Sequence, residues 1–109
     1  MSPSSLSELI EEQLTLAHAT DSGRSARTVY GGAGRPLRQT LLVLVAGRAL
    51  EEHASPGAAT LQVLRGRVRL VADDRSWTGV TGDLLPIPDA RHALHADEDS
   101  AVLLTVALG

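Results

Sequence analysis

Apolar positions along this chain follow two different periods, and the change falls near residue 23. Leu6, Leu9, Ile10, Leu14 and Ala17 recur at helical spacing, with Glu11, Glu12 and Gln13 on the other side. That pattern predicts one amphipathic helix over about 6–18. Ser5-Leu6-Ser7-Glu8 has the spacing of a capping box, in which the Ser5 hydroxyl takes an orphan amide and Glu8 returns to the Ser5 amide. The apolar stripe must be covered, either by the sheet that follows or by a second subunit.

Beyond Gly23 the punctuation is that of a β protein. Gly31-Gly32-Ala33-Gly34, Gly47, Ser55-Pro56-Gly57, Arg65-Gly66, Asp73-Asp74, Gly79, Gly82 and Asp97-Glu98-Asp99 break the chain into short runs rich in Leu, Val, Ile and Thr. These runs predict strands at about 25–30, 37–46, 59–64, 67–72, 75–80, 84–87, 91–96 and 100–107. Seven or eight strands with no helix between them indicate an all-β antiparallel barrel or double-sheet roll and exclude a parallel α/β architecture. The expected organisation is a helix and linker over 1–23 and one β-barrel domain over 24–109.

Composition narrows the chemistry. The chain has 109 residues and no cysteine, which removes disulfides, thiolate metal sites and thiol nucleophiles together. Ten basic residues, all arginine, against thirteen acidic ones give a net charge of −3, and Tyr30 and Trp77 are the only aromatics. Neither a basic footprint nor a stacking platform for nucleic acid is present. The acidic, amphipathic start and the lack of any run near ~20 apolar residues are what a cytoplasmic protein without a membrane span shows. A domain this small gains from a partner surface, so a homodimer is expected.

Histidines are the first candidates for chemistry near neutral pH. His18 closes the helix, where the dipole favours an imidazolium. In an extended strand His92 and His95, three apart, point to opposite faces, so only one enters a barrel. By the same rule Glu51, His53 and Ser55 share one face and Glu52 takes the other.

The stretch from His53 to Leu70, HASPGAATLQVLRGRVRL, resembles the first motif of the cupins, G-x5-H-x-H-x3/4-E-x6-G. The stretch from Gly82 to His92, GDLLPIPDARH, resembles the second, G-x5-P-x-G-x2-H-x3-N. The resemblance runs from about Leu37 to Leu108 and implies an antiparallel double-stranded β-helix, the jelly-roll or cupin barrel. Matched residue by residue, His53 falls on the first motif histidine, Ser55 on the second and Ala59 on the glutamate. Gly82, Pro88 and His92 match the second motif, Ala90 replaces its glycine, and Ala96 falls on its asparagine.

What the resemblance implies is a depleted metal site. A cupin centre would hold iron, manganese, nickel or zinc, and here His53 and His92 remain, with Glu51 as the nearest substitute carboxylate. His95 joins only if its strand bulges. Two functional classes follow. One is a module binding a small polar molecule through His53, Ser55, Arg91 and His92, with Arg91 offering a two-point contact to a carboxylate. The other is a metal-dependent enzyme of the oxygenase or isomerase and epimerase type, built on His53, His92 and Glu51. Asp97-Glu98-Asp99 reads as a solvated hairpin, the glycine cluster at 31–34 as a hairpin tip, and the face bearing Arg65, Arg67 and Arg69 as solvent-facing or a dimer seam.

Overall fold

A computed structural model describes residues 3–32, 34–55 and 57–107. The order of elements is α1 (Leu6–His18), β1 (Arg24–Tyr30), β2 (Leu37–Leu44), β3 (Ala49–His53), β4 (Ala58–Arg65), β5 (Arg67–Ala72), β6 (Arg75–Val80), β7 (Leu84–Pro86), β8 (His92–Ala96) and β9 (Ser100–Ala107). One sheet runs β1-β2-β9-β4-β7 and the other β3-β8-β5-β6, with every pairing antiparallel. This is a jelly roll with one short N-terminal helix. The expected glycine tip and the Ser55–Gly57 turn each contain a residue, Ala33 and Pro56, that lies outside the described set. No helix among the described residues is long and apolar enough to cross a membrane.

Why β2 is apolar at consecutive positions follows from its place between two layers. Leu42 and Leu44 turn into the roll, where they join Leu61, Val63, Val68, Leu70, Leu94 and Val102. Leu41 and Val43 turn outward and meet Ile10, Leu14 and Ala17 of α1, with Ala101 beside them. A strand covered on both faces loses the alternation of a half-exposed one. The helix stripe is therefore buried by the chain's own sheet. Each fully buried aliphatic side chain contributes roughly 1.5–3 kcal/mol through removal from water.

Polar contacts fix the helix in register. Ser5 Oγ accepts from the Glu8 amide at 3.3 Å, the forward half of the capping box. Gln13, buried among the apolar residues, accepts from the Ser25 hydroxyl on β1. Glu11 pairs with Arg65 at 2.6 Å and Glu12 with Arg27 at 3.7 Å. At the far end His18 Nε2 lies 2.7 Å from Asp99, whose other oxygen accepts from the Ala46 amide at 2.9 Å. Asp99 thus ties the helix end, the β2–β3 turn and the β8–β9 turn together. The amide of Ala46 and the His18 imidazole hold the Asp99 carboxyl below the usual carboxylate range.

The β4–β5 corner that bears Arg65, Arg67 and Arg69 crosses from one sheet to the other instead of forming the expected hairpin, and it faces acids of the β8–β9 turn. Arg67 faces Glu98 at 3.8 Å and Arg69 faces Asp97 at 3.0 Å, so Asp97-Glu98-Asp99, expected as a solvated hairpin, is an ion-pairing turn that passes from one sheet to the other. Gly66, at φ +89°, is where β4 turns into β5, and a Cβ there would run into Ser100 Oγ and the Asp99 carbonyl. The buried Ser100 hydroxyl accepts from the Arg67 amide at 3.1 Å and fastens this turn to β9.

Candidate functional site

Two strands at one edge of the smaller sheet carry the imidazoles. β3 is the strand that sequence propensity misses, because Ala49-Leu50-Glu51-Glu52-His53 has no β-branched residue. It forms by pairing with β8, Leu50 opposite Leu94 and His53 opposite His92. Three steps along β3 therefore match two along β8, which is a bulge. The extra residue turns Leu50 and His53 to the same side, so both line one cavity.

That bulge corrects the expected grouping of Glu51, His53 and Ser55 on one face. Glu51 is exposed and does not border the cavity. Ser55 Oγ donates to the Gly57 carbonyl at 3.1 Å and stays outside as well. Arg91 is exposed and held by Glu52, with Nε 3.0 Å from a carboxylate oxygen and Nη2 3.3 Å from the Glu52 carbonyl. The glutamate assigned to the opposite face is thus the partner of the arginine expected to greet a ligand. His95 stands half-buried while His92 is 2% exposed, as strand alternation requires on β8.

What converges is the pair. The His53 and His92 rings lie 4.3 Å apart between centroids at 61°, an edge-on contact. His53 Nδ1 is 2.8 Å from the Glu51 carbonyl and His92 Nδ1 is 3.0 Å from the Ala90 carbonyl. A carbonyl only accepts, so each Nδ1 carries its proton and donates. When a ring is neutral its Nε2 is then a bare acceptor, and neither Nε2 has a hydrogen-bond partner among the described residues.

Around the pair the walls are hydrocarbon: Leu42, Leu50, Leu61, Leu70, Ile87, Leu94 and Leu104. The free space is about 30 Å3, on the order of two water-sized volumes. The two polar groups and the aliphatic character of their surroundings are legible in the sequence, whereas the full set of wall residues is not. Leu50 was hidden by the bulge, whereas Ile87 lay in plain sight five residues before His92.

Nδ1–H bonds to backbone carbonyls also orient metal-binding histidines, which makes the remaining donors decisive. Among the described residues no group of three histidine or carboxylate side chains converges. The positions matching the other cupin ligands are Ser55, turned to Gly57, and Ala59, which has no donor. Catalytic zinc sites have three protein ligands, and an apolar cavity without an anion strongly disfavours a dication. The residues present do not fit a resident iron, manganese, nickel or zinc ion, and Glu51 does not complete one.

No protein-family model and no curated protein sequence matches the chain. Solved structures do. A conserved protein of unknown function from Streptococcus pyogenes is similar at TM-score 0.72 and 26% identity, over 83% of this chain and 78% of that one. An RmlC-like cupin from Desulfovibrio desulfuricans is similar at TM-score 0.67 and 26% identity, over 77% of this chain and 81% of that one. Salicylate 1,2-dioxygenase from Pseudoaminobacter salicylatoxidans is similar at TM-score 0.78 and 20% identity, over 92% of this chain but 34% of the enzyme. The antiparallel roll fits these neighbours, and in fold the chain is a small cupin.

Proposed function

We propose that this cupin binds a small molecule by a hydroxyl or other donor-bearing end, which enters the apolar cavity and donates to the Nε2 atoms of His53 and His92. The observation that carries this reading is the pair of Nδ1–H bonds to backbone carbonyls. They leave two acceptors side by side and no donor between them, in a space that admits one small polar terminus. The hydrocarbon walls strengthen such a bond by excluding competing water. The neighbours fit a small-molecule role without specifying a reaction.

Phenol, which puts one donor on an apolar body, is a suitable probe. A ligand that binds only the native state raises the melting temperature with its concentration. The expected result is a saturable rise with phenol, none with toluene, and loss of the rise in His53→Phe. A divalent metal retained stoichiometrically through dialysis against chelator would replace this reading with a metal-centred one.

A further inference from the structure

Away from the imidazoles, the two sheets part at their β6 and β7 edges. β6 ends one sheet and the three-residue β7 ends the other. Between them lies a cleft of about 250 Å3 bordered by Arg75, Trp77, Leu85, Pro86, Ile87 and Pro88. This space is several times larger than the imidazole cavity, and Ile87 is the wall common to both.

Its chemistry differs from that of the histidine pair. Trp77, the chain's one tryptophan, remains 36% exposed. The Arg75 guanidinium sits over the indole, 5.2 Å from the ring centroid. Arg27, Arg65, Arg67, Arg69 and Arg91 each face a carboxylate, whereas Arg75, like Arg24, Arg35, Arg38 and Arg48, has none within ion-pair distance among the described residues. A guanidinium stacked on an aromatic face keeps its outward N–H groups for an anion. Beside it the trough of Leu85, Pro86 and Pro88 takes hydrocarbon.

We propose that this cleft is a second ligand site, for a small monocarboxylate whose anion pairs with Arg75 and whose apolar body lies along Trp77 and Pro86. The site does not depend on His53 or His92, since neither borders it. Charge complementarity favours this occupant over a second copy of the chain laid on the β6 edge. Such a copy would have to set one of its own carboxylates on Arg75, or else bury the guanidinium unpaired at a cost.

Octanoate is the probe, and Trp77 emission reports the cleft directly. A saturable blue shift is expected with octanoate. It should be at least about tenfold weaker with 1-octanol and in Arg75→Gln, in proportion to the lost charge-assisted bonds. Arg75→Lys, which keeps the charge, and His53→Gln, which leaves the cleft intact, should retain the response. The proposal is overturned by the absence of a saturable shift, or by equal responses with 1-octanol or Arg75→Gln. Loss of the response in His53→Gln overturns it too, and so does a dimer by size exclusion in which Trp77 emission tracks protein concentration.

Discussion

His53 and His92 are direct cross-strand partners whose rings touch edge-on, yet as neutral imidazoles they cannot hydrogen-bond to each other. Each has committed its Nδ1 proton to the backbone carbonyl two residues earlier, Glu51 within β3 and Ala90 in the loop before β8. Two lone pairs are left without a proton between them. A water or a ligand hydroxyl relieves that arrangement, and this is the physical core of the proposed function.

Replacing His92 by Leu separates binding from stability. The variant removes one acceptor and leaves the Ala90 carbonyl, which is only half-buried, to be hydrated. The expected loss in urea unfolding is about 1 kcal/mol, the size of one ordinary hydrogen bond. The phenol-dependent rise in melting temperature should disappear.

Arg91 is expected to be dispensable. Its pair with Glu52 is exposed on both sides, and such pairs contribute about 0–1 kcal/mol. Arg91→Ala should leave the phenol response intact and change stability little, as measured in the same two assays. Loss of the response would restore Arg91 to the site.

Acid should loosen the junction at Asp99. The Ala46 amide, and then the His18 imidazole, depress its folded-state pKa below the ordinary 3.8. A depressed carboxylate stabilises the fold above its unfolded-state value, and that contribution is lost as pH falls through the folded-state value. Urea unfolding should therefore show a stability loss below about pH 4, and Asp99→Asn should flatten that limb. Equal acid limbs in the two proteins would remove Asp99 from the account.

Glycines test the turn between β4 and β5, which packs against Ser100 at the start of β9. Gly66→Ala meets both a left-handed backbone and the Ser100 hydroxyl, whereas Gly82, at φ +96°, has nothing within 4 Å of a Cβ. Gly66→Ala is expected to cost about 1–3 kcal/mol, more than Gly82→Ala, by urea denaturation. Equal losses would mean that the close approach to Ser100 contributes nothing.

Most of the roll was legible because its strands carry β-prone residues between glycine turns, and because α1 repeats its apolar positions at helical spacing. β3 was not, since Ala49 to His53 become a strand only through β8. The bulge between Leu50 and His53 has no local signal either, and it alone separates Glu51 from the cavity. Resemblance to the cupin motifs located both histidines. It did not reveal that Glu52 holds Arg91, because that contact joins residues far apart in sequence.

The tautomers of the two rings test the central claim most directly. Long-range proton–nitrogen correlation spectra of 15N-labelled protein distinguish protonated from bare imidazole nitrogens. With the rings neutral, His53 and His92 should each show a protonated Nδ1 and a bare Nε2, and both Nε2 resonances should move when phenol is added. A protonated Nε2 on either ring would mean that a donor faces its partner, and that the two-acceptor site does not exist.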